Sequence, residues 1–322
     1  MIALVAIVLL IVPDEPKATY HTDKGEVFGT YYAIQYESVS DLRDSIQATF
    51  AAFDGSMSMF NPQSTLSRIN AGTDSVTDTY FLQMYRTAEE VNSLSGGAFD
   101  ITVAPLVNLW GFGLKNREHV QPEQVESLLP HVGMQKLSLV PLAGSDRFVL
   151  RKADEAVQVD AGAIAKGQSC DIIAALLERN GAANYLVDIG GEIVAKGHNA
   201  EEQPWRIGIT RPIDDATGTV SEVQTVLQTT GIALATSGNY RNFYVKDGRK
   251  YAHTIDPHTC MPVSHSLLSA TVFAADCATA DALATSMMVM GLDSAQALCD
   301  RHPEIRAYFI YTDSAGNTIV AQ

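Results

Sequence analysis

Basic residues are scarce in this chain. Lys and Arg number 22 against 37 Asp and Glu in 322 residues, a formal charge of −15 with His neutral. A field of that sign repels polyanions, which argues against nucleic acid or an anionic membrane surface as a partner. A phosphate-bearing ligand would have to be met by a local device: a helix N-terminus, a metal or a single lysine. Cysteine is sparse too. Cys170, Cys260, Cys277 and Cys299 form no CxxC pair, so neither a zinc ribbon nor a thioredoxin motif is supported, and at least two of the four are expected to be free and buried. The apolar run at residues 2–12 is shorter than the about 20 residues a membrane span needs. It fits the apolar core of a signal sequence or short anchor better, although no basic residue precedes it and no cleavage site follows. A buried strand is the alternative.

What is present is ample core material, with 46% apolar residues. The length allows two domain-sized units or one large α+β domain. Residues 1–24 read as a signal- or anchor-like segment with a polar linker, and residues 25–322 as the folded part, which two subdomains could divide. Hydrophobic periodicity predicts a strand over 29–36 and helices over 41–53, 81–94, 121–129, 170–179 and 278–290. Ser64 is a candidate cap for a short helix through Asn70, Pro122 suits a first turn, and Gly181 suits a helix stop. Residues 148–150 and 156–159 read as paired strands. Further strands are expected at 185–189, 192–195, 205–210 and 223–229, with hairpins at Asp247-Gly248 and over 306–321. Strands and helices come in runs rather than in strict alternation, which favours α+β.

Four constellations can carry chemistry. Asp160-Ala161-Gly162-Ala163-Ile164-Ala165-Lys166-Gly167 lies between a strand and a helix. Its small residues let backbone approach a ligand, and the helix start and Lys166 suit an anion; a tight turn with a solvated lysine fits equally. Asp281 and Thr285 are four residues apart on one helix face, an oxygen pair suited to Mg²⁺. Asp281 could instead merely favour the helix start while Thr285 bonds back to a carbonyl. His253-Thr254-Ile255-Asp256-Pro257 offers a candidate general base, downstream of Thr236-Ser237-Gly238-Asn239-Tyr240. Residues 96–113 place glycines around an aromatic and apolar block, fit either for a pocket wall facing a flat heterocycle or for plain core packing.

Together and in this order, these blocks and the segment over residues 57–70 resemble the ApbE family, Mg²⁺-dependent FAD:protein FMN transferases, from about residue 25 to residue 291. The resemblance implies an α+β fold with a T-fold-like core and FAD bound in an extended cleft. By position it implies cofactor contacts at Phe28, Phe60, Ala98, Phe99, Asp100, Asp160, Lys166 and Ile255. Phe60 stands where many members carry Tyr, so stacking on the flavin is kept and the hydroxyl is not. Asp281, Thr285 and the Ala163 carbonyl match the metal positions, and His253 matches the His of the family's His-x-x-Asp-Pro segment, the candidate base. Thr259-Cys260-Met261-Pro262 replaces the usual Thr-Gly-x-Pro, so a positive φ there would strain Cys260.

The implied reaction moves FMN from FAD to a Thr or Ser hydroxyl of an acceptor protein and releases AMP. FAD hydrolysis to FMN and AMP, or non-catalytic flavin binding, are the alternatives. The implied acceptor is a membrane-bound electron-transfer subunit. That suits a periplasmic or otherwise extracytoplasmic enzyme, with the apolar run as a candidate inner-membrane anchor.

Overall fold

The computed structural model describes residues 17–113, 120–213, 222–240, 243–246 and 249–321. Eight antiparallel strands build one sheet in which spatial order follows chain order. They are β1 (Thr19–Val27), β2 (Thr30–Ser38), β3 (Tyr185–Ile189), β4 (Glu192–Lys196), β5 (Gly231–Gly238), β6 (Leu267–Ala274), β7 (Arg306–Thr312) and β8 (Thr318–Ala321). The long connections carry the helices. Between β2 and β3 run α1 (Arg43–Met57), α2 (Thr65–Asn70), α3 (Thr79–Leu94), α4 (Ala104–Leu109), α5 (Pro122–Leu128) and α6 (Ala165–Arg179); α7 (Cys277–Met290) and α8 (Leu292–Arg301) join β6 to β7. Helices in the connections of an antiparallel sheet are the expected α+β arrangement.

Local chemistry sets most boundaries. Ser64 accepts the N–H of Ser67 and opens α2, and Asp78 accepts that of Phe81 and opens α3. Gln121 and Gln124 form a capping box around Pro122 at the start of α5. The β1–β2 hairpin turns on Phe28 and Gly29, both at positive φ (52° and 75°), and Val27 pairs with Thr30. Two such residues between paired strands follow the sheet's own twist.

α7 packs on β5, β6 and α6, while α6 packs on β3 and β4. One core joins Ile34, Tyr36, Val187 and Ile189 of the sheet to Cys170, Ile173 and Leu177 of α6. The opposite sheet face, at Ile193, Ala195 and Leu234, is covered by Trp205 and Ile207 of a hairpin formed by Trp205–Thr210 and Val223–Thr229.

Several sequence expectations are corrected. Residues 156–159 form no strand: Phe148–Lys152 pairs instead with Leu137–Pro141, and Val159 spends its backbone groups on the Asn70 side chain. Residues 19–24, assigned to a polar linker, lie in β1, whose nine residues all pair with β2. An edge strand with Asp23 as its one fully buried residue has no hydrophobic alternation to betray it. The helix expected from residue 170 begins five residues earlier, at Ala165. The turn Asp247-Gly248 and the apolar run at 2–12 fall outside the described residues, though the strands flanking the turn pair as expected, Phe243 with Ala252. All four cysteines are free, and Cys170, Cys260 and Cys277 are buried.

Candidate functional site

A cavity of about 720 Å³ opens where α6 and α7 meet the end of β5, the segment before α4 and the chain around His253. Its floor is set by one glycine. The N–H of Gly167, in the first turn of α6, has no intrahelical partner to expect; it donates to Asp281 Oδ2 of α7 at 3.1 Å. A Cβ on Gly167 would stand 2.3 Å from the Cys277 carbonyl oxygen, so only glycine permits this approach. Thr285, one turn beyond Asp281, shares a hydrogen bond with Ser237 at 3.0 Å, and both line the cavity with Ala163.

Charge is concentrated beside this pair. Lys166 Nζ lies 2.5 Å from Glu192 Oε1. Burial works against the Lys166 charge, but the Asp281 and Glu192 carboxylates hold the ammonium well above its ordinary range. Burial pushes Glu192 up to about 7, with Lys166 opposing and Asp281 adding to the rise. Burial also raises Asp281, against the pull of Lys166 and the Gly167 N–H. Glu192 Oε2 is buried without a hydrogen-bond partner among the described residues.

Asp160 faces the same cavity; its Oδ1 accepts the Gly162 N–H at 2.7 Å, and burial raises its carboxyl. It is aimed by its neighbour: Asn70 takes the Val159 N–H on Oδ1 and donates Nδ2 to the Val159 carbonyl, at 2.7 and 2.8 Å. Asp100 lines the cavity, but both its oxygens serve the local chain: Oδ1 accepts the Thr102 N–H and hydroxyl, and Oδ2 the Met134 N–H. Ala98, Phe99 and Ile255 add wall surface. Phe60 sits at the mouth, 78% exposed, an aromatic face with little protein to cover it.

His253 also lines the cavity, with Phe112 edge-on at 6.4 Å. Behind Phe112 runs a column of stacked rings, Tyr244, Tyr251 and Trp110. The following turn is fixed by Asp256, which accepts the N–H of His258 and the hydroxyl of Thr259. Cys260 has φ 59°, and its carbonyl accepts the Trp110 indole N–H at 3.0 Å. The backbone there does require the left-handed conformation that glycine adopts without cost.

The structure thus gathers every site residue expected from the sequence except Phe28. That ring turns inward onto Phe50 and Phe53, at 5.7 and 5.4 Å, because the hairpin turn places it over the α1 core instead of over the cavity. Sequence reasoning passed over Glu192 as a site residue and, though it singled out the segments that carry Asn70 and Ser237, gave neither a role of its own. Glu192 alone left a usable signal: an acid directly after Gly190-Gly191, at a buried position of its strand.

Fold and cavity define an α+β protein with an acidic, lysine-bearing ligand cleft. The chain belongs to the ApbE family, whose profile matches residues 28–309. Relatives include the FAD:protein FMN transferases of Vibrio cholerae, 36% identical over 93% of this chain and 90% of its own, and of Haemophilus influenzae, 34% identical over 97% and 93%. Among solved structures, the flavin transferase ApbE of Vibrio cholerae superposes with a TM-score of 0.82 at 34% identity, covering 95% of this chain and 98% of its own. The apo flavinyl transferase ApbE of Pseudomonas stutzeri gives 0.81 at 30% identity, with 96% of each covered.

Proposed function

We propose that this chain moves FMN from FAD to a Thr or Ser hydroxyl of an acceptor protein, with Mg²⁺ as its metal and AMP as the second product. It is an enzyme, an FAD:protein FMN transferase like its relatives, and FAD is its substrate. The finer reading rests on one observation: Asp281 and Thr285 face the turn that carries Lys166 across a single cavity. The volume of about 720 Å³ lies within the roughly 300–1,000 Å³ of cavities that hold small ligands.

The donor set argues for a hard cation. The Asp281 carboxylate, the Thr285 hydroxyl and the Ala163 carbonyl are all oxygen, the ligands Mg²⁺ takes. Asp100, Asp160, Glu192 and Asp281 bring four carboxylates to the lining against the ammonium of Lys166. A diphosphate entering such a cavity meets net repulsion unless a divalent cation comes with it. Bound there, Mg²⁺ would polarise the diphosphate and offset the charge that grows on it.

The protein groups supply the rest. Phe60 stacks on the flavin ring, and Lys166 holds phosphate oxygens as a point charge. His253 takes the proton from the acceptor hydroxyl. That oxygen forms a bond to the phosphorus on the riboflavin side, the bond from this phosphorus to the bridging oxygen breaks, and AMP leaves with the bridging oxygen. FMN remains on the acceptor as a phosphoester, and no enzyme nucleophile is needed. A membrane-bound electron-transfer subunit as acceptor and an extracytoplasmic location complete the reading. The apolar run at 2–12 supports the location; among the described residues no helix is long and apolar enough to cross a membrane.

The test is incubation with FAD, Mg²⁺ and a candidate acceptor, followed by mass spectrometry. An FMN-sized increment on the acceptor, lost in Asp281→Ala, is the expected result. Free FMN and AMP would mean hydrolysis, and unchanged FAD would mean binding alone. Undiminished metal-dependent transfer by Asp281→Ala would remove the metal assignment.

A further inference from the structure

Two buried carboxylates, Asp281 and Glu192, act on Lys166 through their charge, and Glu192 also holds it. Its Nζ is 2.5 Å from Glu192 Oε1, and among the described residues Glu192 is its ion-pair partner. Asp281 acts on Lys166 through its charge, while its Oδ2 is committed to the Gly167 N–H. Glu192 is rigidly placed for this task. It is the first residue of β4, directly after the Gly190-Gly191 turn, it is 2% exposed, and its carbonyl accepts the Cys170 thiol at 3.1 Å. A carboxylate buried this deeply is costly unless paired, so the Lys166 contact accounts for its tolerance in the core.

The geometry has a consequence for cation binding. A lysine ammonium on a four-carbon stem can swing. Without Glu192, the remaining buried anion acting on Lys166 is Asp281. An ammonium paired with Asp281 would compete with any divalent cation for the same oxygens. We propose that Glu192 is a positioning residue: it keeps the Lys166 ammonium off Asp281 and so leaves that carboxylate open to the metal. This rests on the reading of Asp281 as a metal ligand.

The test is direct titration of FAD-free protein with Mn²⁺, followed by the paramagnetic resonance signal of the unbound ion. Wild type is expected to bind one ion, and Glu192→Gln to bind it about tenfold more weakly, the effect of roughly one unit of competing charge interaction. Lys166→Met should bind at least as tightly as wild type, because no ammonium competes. The double variant Lys166→Met/Glu192→Gln should return to within about twofold of Lys166→Met. This recovery separates positioning from a merely structural role, which removal of the lysine could not rescue.

Wild-type affinity in Glu192→Gln overturns the proposal, and so does a double variant as weak as Glu192→Gln alone. Should Glu192→Gln fail to fold, Lys166→Met alone decides, since a tenfold loss in that variant contradicts competition. No binding by wild type would remove the metal reading itself, and this proposal with it.

Discussion

Asp171 and Asp281 cap each other's helices. Asp171, on α6, accepts the N–H groups of Cys277 and Ala278 at the start of α7, at 2.9 and 2.8 Å. Asp281, on α7, accepts the N–H of Gly167 at the start of α6, at 3.1 Å. Each carboxylate satisfies donors that a helix start leaves open and sits at its favourable dipole end. The exchange locks the two first turns together, and the cavity floor is built on them.

Gly167 is the contact point of that lock. Gly167→Ala would drive a methyl group into the Cys277 carbonyl, 2.3 Å from the new carbon, and backbone on both sides leaves little room to relax. We expect a loss of about 3 kcal/mol, as for overpacked core sites, read from urea unfolding. A variant as stable as wild type would show that α6 and α7 can separate freely.

Asp171 also carries a pH signature. Burial pushes its carboxyl up to about 7, above the model-peptide 3.8, although two backbone N–H groups oppose the rise. The folded state therefore binds this proton more readily than the unfolded chain. Its contribution to stability is complete below about pH 4 and is lost as pH rises through about 7. In chelator, the stability difference between wild type and Asp171→Asn should fall steadily from pH 4 to pH 7. A flat difference in urea midpoints across that window would contradict the raised carboxyl.

Phe60 should matter to ligand and not to fold. At 78% exposure it contributes little packing, so Phe60→Ala should change stability by less than about 0.5 kcal/mol. Stacking of an aromatic on a flat heterocycle is worth about 1–3 kcal/mol. We expect the KM for FAD to rise about tenfold with the thermal midpoint unmoved. An unaltered KM would place the flavin ring elsewhere.

Cys260 reverses a usual preference. At φ 59° an alanine pays the left-handed penalty and a glycine does not, while both lose the same buried thiol. Cys260→Gly should therefore be more stable than Cys260→Ala by about 1 kcal/mol, measured by denaturant midpoints. The opposite order would mean that the turn relaxes once the thiol is gone.

Local signals were legible where they were self-contained. The cap at Ser64, Pro122 in the first turn of α5 and the periodicity of α3 depend on residues within a few positions of one another, and those helices lie close to where the sequence puts them. Two central strands escaped notice. On the face toward α7, β5 and β6 carry the small residues Ala233, Ala235, Ser237 and Ala270, which keeps that row from reading as a bulky alternation. α8 was missed as well, a short helix with Ala295 and Leu298 as its fully buried contacts. The start of α6 reads as a glycine-rich loop because the group that satisfies its open donor, Asp281, lies 114 residues away.

The sequence alone determined the chemical inventory: an acidic chain, a lysine in a small-residue turn, and a carboxylate and hydroxyl one helical turn apart. Periodicity, caps and spacing are short-range properties, so they survive without a fold. Only the tertiary structure decided that Asp281 meets Gly167, that Glu192 takes Lys166, and that Phe28 turns into the core. Those outcomes depend on which backbones can approach closely and which buried charges find partners, and chain folding settles both at separations that local sequence does not encode.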